Sequence, residues 1–164
     1  MTDSQQIIAA AFAPEGALAR AIPGYQLRPQ QLEMAMRVAH AIEQREVLIA
    51  EAGTGTGKTV AYLVPALALG GKVLVSTGTK TLQDQLHHRD LPTVRAALGL
   101  PVTTALLKGR ANYVCHYHLE RNLQDGRLPS REEAVNLQAI ARFARRTRTG
   151  DRAELAEVSE NAAA

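Results

Sequence analysis

Eight consecutive residues, Ala52, Gly53, Thr54, Gly55, Thr56, Gly57, Lys58 and Thr59, join a flexible turn to a cation and a hydroxyl. Glycines at 53, 55 and 57 allow positive φ and let the backbone approach a ligand with no Cβ in the way. Backbone N–H groups gathered where a helix begins carry partial positive charge, which suits them to phosphate. In such a nest Lys58 would neutralise the outer phosphates of a nucleotide, and Thr59 would offer its hydroxyl to Mg²⁺. A Gly/Thr-rich connector that happens to contain a lysine is the bland alternative. The apolar run before the loop and the helical pattern after it argue against that alternative.

A strand and a helix must position this loop. Residues 47–50 are apolar and partly β-branched, which reads as a buried strand, and the pattern turns helical from Lys58 to Leu69. Residues 72–77 and 102–107 read as two further strands, and residues 80–88 and 92–98 as helices between them. Strands separated by helices of this length imply an α/β fold with a parallel sheet and right-handed crossovers, as in a P-loop NTPase. Upstream, residues 3–12 suit a short amphipathic helix. Pro29 can open another that runs to about Arg45, with Leu32, Met36, Ala39 and Ile42 on one face. After Lys108 the strand signal ends. A helix is expected over residues 113–124, and Ser130 with Glu133 makes a capping box for one more.

Composition narrows the classes. A length of 164 residues suits one domain or one domain with part of another, and 46% hydrophobic residues can bury a core. Without tryptophan and with few aromatics, a broad base-stacking platform is not expected. The net charge is only +3, but residues 108–152 hold ten Lys/Arg against five Asp/Glu. That half suits either a polyanion or a solvated arginine-rich face. The polar, acidic residues 1–6 do not open like a signal peptide, so a cytoplasmic location is expected. The longest apolar stretch, interrupted by Pro65, falls well short of the roughly 20 residues a membrane span needs. Cys115 is the only cysteine and cannot form an internal disulfide.

Three more segments choose among the many enzymes that use such a loop. Gln30 and Gln31 follow Arg28 upstream of the first strand; a glutamine amide can meet both the donor and the acceptor edge of adenine, though a solvated glutamine pair is the commoner case. Thr77, Thr79, Lys80 and Gln83 lie at the carboxyl end of the second expected strand, the side of an open sheet where ligands collect. Such groups contact nucleic-acid phosphates, and Thr79 or Thr81 equally suits a plain helix cap. Cys115 sits near His116 and His118, but the spacing matches no common zinc finger.

Together these segments resemble the DinG and YoaA branch of the XPD-like iron–sulfur helicases of superfamily 2, over most of the chain. Arg28, Pro29, Gln30 and Gln31 followed by Met34 are similar to the family's adenine-reading Q motif, with Gln31 as the reader. Residues 51–59 resemble motif I, in which alanine at position 52 is a form often met in superfamily 2. Residues 76–86 resemble motif Ia, which implies that Thr77, Thr79, Lys80 and Gln83 touch the single strand. Residues 108–115 are similar to the segment leading into the first cluster cysteine, and residues 150–155 to the stretch before the remaining ones.

The resemblance implies residues 1–107 as the N-terminal part of a RecA-like motor domain and residues 108–164 as the start of a helical iron–sulfur domain. It implies ATP and Mg²⁺ at the loop, with Arg28 and Gln31 at the nucleotide. It also implies Cys115 as one thiolate of a [4Fe–4S] cluster, and movement along single-stranded or forked DNA, as a monomer away from membranes. The sequence contains no further cysteine, no Asp-Glu-Ala-His box and no second motor domain. The expectation is therefore an N-terminal segment with little or no hydrolysis and no stable cluster by itself. A P-loop small-molecule kinase is the alternative enzyme, though no arginine-rich lid motif is present. A nucleotide- or strand-binding module without turnover is the non-enzymatic alternative.

Overall fold

The computed structural model describes residues 2–126, 130–156 and 158. Arg127 of the basic stretch and residues 159–164 of the expected second domain lie outside them. The chain divides into two compact units, residues 2–106 and residues 107 onward.

In the first unit, α1 (Asp3–Phe12) opens with a capping box: Thr2 Oγ1 accepts from Gln5 N at 3.3 Å, and Gln5 Oε1 accepts from Thr2 N at 3.2 Å. The short α2 (Ala17–Ala21) follows at Gly16, where a Cβ would lie 2.3 Å from the Ala10 carbonyl oxygen, so only glycine lets the chain turn this tightly against α1. Helix α3 (Pro29–Gln44) starts with Pro29 at its first turn and stops at Arg45, which takes the left-handed conformation. Its buried residues are Gln31, Ala35 and Ala39, one i,i+4 row whose two alanines admit a close neighbour. That neighbour is α4 (Lys58–Ala68), which contributes Ala61, Leu63 and Val64 to a core completed by Ile8, Phe12, Leu18 and Val94.

Helix α5 (Lys80–Gln85) runs through a π-helical turn, Leu86–Asp90, into α6 (Leu91–Leu98). The sequence suggests two separate helices here, but they join. Pro92, in the first turn of α6, has no N–H to return to the preceding turn, where the backbone widens instead of breaking.

The three expected strands do not form a sheet among the described residues; the single β contact there is the antiparallel bridge Tyr113–Asp151. Residues 47–50 carry the residue types of a strand but not its surroundings. Leu48 is 37% exposed and lines a groove with Met34, Val38 and Ile42 of α3, while Val47 and Ile49 are 92% and 94% exposed. One face is thus partly covered and the other is apolar and open. Leu74, at 93% exposure, repeats the situation in residues 72–77. A parallel strand needs a partner on its edge and cover on both faces, and neither requirement is met by its own residues.

In the second unit, a 3₁₀ turn (Arg110–Asn112) precedes α7 (His116–Asp125), which ends at Gly126 with φ 60°. The helix expected from residue 113 begins later because Tyr113 is held in the bridge to Asp151. Of the capping box expected at α8 (Arg131–Ala144), the Ser130 half is formed, its Oγ accepting from Glu133 N at 3.1 Å. Leu119 of α7 packs on Leu137, Ile140 and Ala141 of α8.

Candidate phosphate-binding site

The loop of residues 52–57 delivers the chain into α4 through two glycines in the left-handed region, Gly55 at φ 77° and Gly57 at φ 80°. Gly57 is the N-cap of α4 and has no side chain to cap it, so the first amides of the helix keep their donors for something else. Thr56 Oγ1 donates to the Gly53 carbonyl at 2.9 Å and closes the turn. Lys58 folds back over the loop, its Nζ 2.5 Å from the Ala52 carbonyl oxygen and 3.0 Å from that of Gly53. An ammonium poised against loop carbonyls lies beside the space where a phosphate chain would meet the helix N-terminus.

Two side chains from α3 reach the same loop. Gln31, only 7% exposed, donates from Nε2 to the Gly57 carbonyl at 2.9 Å. Arg28, the N-cap of α3, donates from Nη1 to the Gly55 carbonyl. Arg28, Gln31, Ala52, Gly53, Gly55, Gly57 and Lys58 are thus brought together, with Thr54 at the crest and Thr59 in the first turn of α4. Near Thr59, burial pushes the Tyr62 phenol above its usual range; Thr59 lowers it and the charge of Asp90 raises it. A glutamine and an arginine are legible in the sequence as site candidates, but that they grip loop carbonyls was not.

Of the residues expected at nucleic acid, Thr79 is the N-cap of α5, its Oγ1 accepting from Leu82 N at 3.2 Å, and Thr77 Oγ1 donates to the Thr79 carbonyl at 3.1 Å. Lys80 is exposed and Gln83 half-buried on the same short helix. Capping by itself accounts for Thr79.

Cys115 is a separate matter within the second unit. It is an exposed free thiol at the N-cap of α7. In the same unit, Lys108 Nζ pairs with Asp151 Oδ2 at 2.7 Å, with side-chain exposures of 5% and 12%. Val114 N donates to the Gly150 carbonyl at 2.9 Å, and Arg152 Nη1 to that of Ala111 at 3.2 Å. Residues 108–114 and 150–152 are therefore laced together, a pairing no local pattern announced. Among the described residues no group of three or more His, Cys, Asp and Glu is placed to hold a metal ion. An exposed thiol at a helix N-terminus is chemically suited to be one ligand of an iron–sulfur cluster, whose set generally numbers four thiolates.

The loop, its lysine and its helix define a class that the comparisons share. Residues 29–119 match the DEAD/DEAH box helicase family, and the chain belongs to that family, whose fold is the P-loop NTPase. Among its relatives, the ATP-dependent DNA helicase YoaA of Haemophilus influenzae is 45% identical over 97% of this chain and 25% of its own length. YoaA of Escherichia coli is 57% identical over 72% of this chain and 19% of its own. The ATP-dependent helicase DinG of Mycobacterium tuberculosis (strain H37Rv) is 41% identical over 85% and 24%. The resemblance to the DinG/YoaA type is borne out, and the chain spans a quarter or less of the length of these relatives. No solved structure matches it. No helix among the described residues is long and apolar enough to cross a membrane.

Proposed function

We propose that this chain is the nucleotide-gripping segment of an ATP-dependent DNA helicase that couples ATP hydrolysis to movement along single-stranded DNA and to unwinding. One observation carries the reading: Lys58 turned onto the carbonyls of a glycine loop that opens onto the uncapped start of α4. The amides of residues 53–59 would fix the phosphates, Lys58 would neutralise the β and γ groups, and the Thr59 hydroxyl would help hold Mg²⁺. Phosphoryl transfer asks a protein for positioning and charge more than for covalent chemistry, so this constellation is the part of the reaction the chain can supply. Arg28 and Gln31 border the nucleotide, and Thr77, Thr79, Lys80 and Gln83 meet the strand.

In this reading residues 1–107 belong to the first motor domain and residues 108–164 open a helical domain in which Cys115 is one thiolate of a [4Fe–4S] cluster. The cluster would tie this domain's segments into a wedge. The whole protein acts in the cytoplasm as a monomer on single-stranded or forked DNA. Mg-ATP titration of this chain and of Lys58→Ala tests the site, with binding by the first and loss of at least tenfold in the second expected. Equal binding by both would sink the reading. For the whole protein, hydrolysis stimulated by single-stranded DNA is the matching assay.

A further inference from the structure

We propose that the Lys108–Asp151 pair is the register lock of the second unit: it closes residues 108–114 onto residues 150–152 without metal, so that Cys115 leaves a segment already set in place. The closure stands by itself; its use in cluster assembly rests on the reading of Cys115 as a thiolate ligand given above.

Three residues form a closed triangle. Lys108 is held at both ends, its ammonium on Asp151 Oδ2 at 2.7 Å and its backbone N donating to Tyr113 Oη at 2.8 Å. Tyr113 in turn meets Asp151 in the antiparallel bridge. The other Asp151 oxygen, Oδ1, accepts from Ala153 N at 3.0 Å and caps the 3₁₀ turn Arg152–Glu154. Next to the bridge, Val114 N donates to the Gly150 carbonyl at 2.9 Å. None of these bonds uses the side chain of Cys115, although Val114 is its chain neighbour. The backbone leading into the thiol is therefore placed by contacts that do not wait for a ligand.

What the pair adds is direction. Two charges nearly sealed from solvent contribute little net stability over apolar side chains of the same volume, but they demand one partner at one position. A bridge between strand-like residues makes no such demand of its own, and a slip of one residue turns every side chain to the opposite face. Such a slip would carry Asp151 away from Lys108 and leave the ammonium buried without its carboxylate. The register that survives is the one in which Val114 bonds to Gly150, one residue before the thiol.

Amide exchange followed by NMR on the full 164-residue chain in excess chelator provides the test, first unaltered and then with Lys108→Met and Asp151→Asn together. The double change removes both charges at once, so neither is left buried alone, and the asparagine oxygen still suits the Ala153 cap. In the unaltered chain the Val114 amide should exchange far more slowly than an unstructured one; exchange at the unstructured rate overturns the proposal. In the double variant Val114 should exchange at least about tenfold faster, while Leu137 and Ile140 in α8 stay within about threefold of their former rates. An unchanged rate at Val114, or equal acceleration in α8, overturns the lock. If the double variant fails to fold by circular dichroism, the unaltered chain decides: a nuclear Overhauser contact between the Val114 amide and Gly150 in chelator supports the lock and its absence overturns it. Iron content of the whole protein with Cys115→Ala judges the cluster reading separately: undiminished iron removes that reading, while the chelator results still uphold the lock.

Discussion

Lys58 and Cys115 both stand where a helix begins, yet the two positions are held in opposite ways. Around Lys58 the restraints are hydrogen bonds from side chains to loop carbonyls, from Lys58, Thr56, Gln31 and Arg28, on a backbone of glycines. In the segment leading to Cys115 the restraint is a buried ion pair, Lys108–Asp151, joined to a strand-like bridge, Tyr113–Asp151, between segments some forty residues apart. A loop that must accept an anion keeps its amides open and spends its carbonyls on anchoring. The exposed thiol of Cys115 belongs instead to a unit tied together by a buried ion pair and a bridge. The first arrangement rests on hydrogen bonds to a glycine backbone; the second rests on a buried ion pair, which is costly to break.

The largest effect is expected at the ion pair. Asp151→Ala leaves the Lys108 ammonium buried without its carboxylate and should cost the second unit about 3–5 kcal/mol. Chemical denaturation followed by a probe in α7 or α8 measures it, and a change below about 1 kcal/mol would mean the pair is not the restraint it resembles. Next comes the loop: Gly57→Ala meets both a left-handed φ and the Gln31 nitrogen, so a loss of about 2–4 kcal/mol and of phosphate binding is expected. Gly53→Ala is the control, since its Cβ would find nothing nearer than Thr56 Cγ2 at 3.9 Å and its φ is not positive. Equal damage from the two alanines would refute the contrast.

Smaller, and designed to sharpen the comparison, are the helix caps. Ser130→Ala and Thr79→Ala each remove one accepted backbone hydrogen bond and should each cost about 1 kcal/mol. If Thr79→Ala weakens binding of a single-stranded oligonucleotide far beyond what its stability change explains, Thr79 has a role at the strand in addition to its cap. The smallest effect concerns His87. Burial lowers its pKa, His88 lowers it further and Asp84 opposes both. The unfolded chain therefore takes up this proton first, so stability present above about pH 6.5 declines as pH falls below that value. His87→Gln should flatten that decline slightly in denaturation curves at pH 7.5 and 5.5.

Much of the phosphate loop could be read in advance because its chemistry is local: Gly55, Gly57, Lys58 and Thr59 are neighbours, and a helix follows them. Helix caps at Thr79 and Ser130 rest on the same short range, and the helices they open, like α1, begin where the sequence placed them. The apolar runs at 47–50, 72–77 and 102–107 were legible as strand-formers by type, but a strand exists only with a partner at its edge. Residue types cannot supply that partner.

What the order of amino acids specified for this chain is a set of short-range commitments: where helices begin, where glycine permits a reversed turn, and where a lysine and a hydroxyl stand together. Folding in three dimensions then chose the partners, giving Gln31 to Gly57, Arg28 to Gly55 and Lys108 to Asp151. The reason is physical. Propensity and capping act within a few residues, whereas a carbonyl or a buried charge is satisfied by whichever donor the packing brings to it.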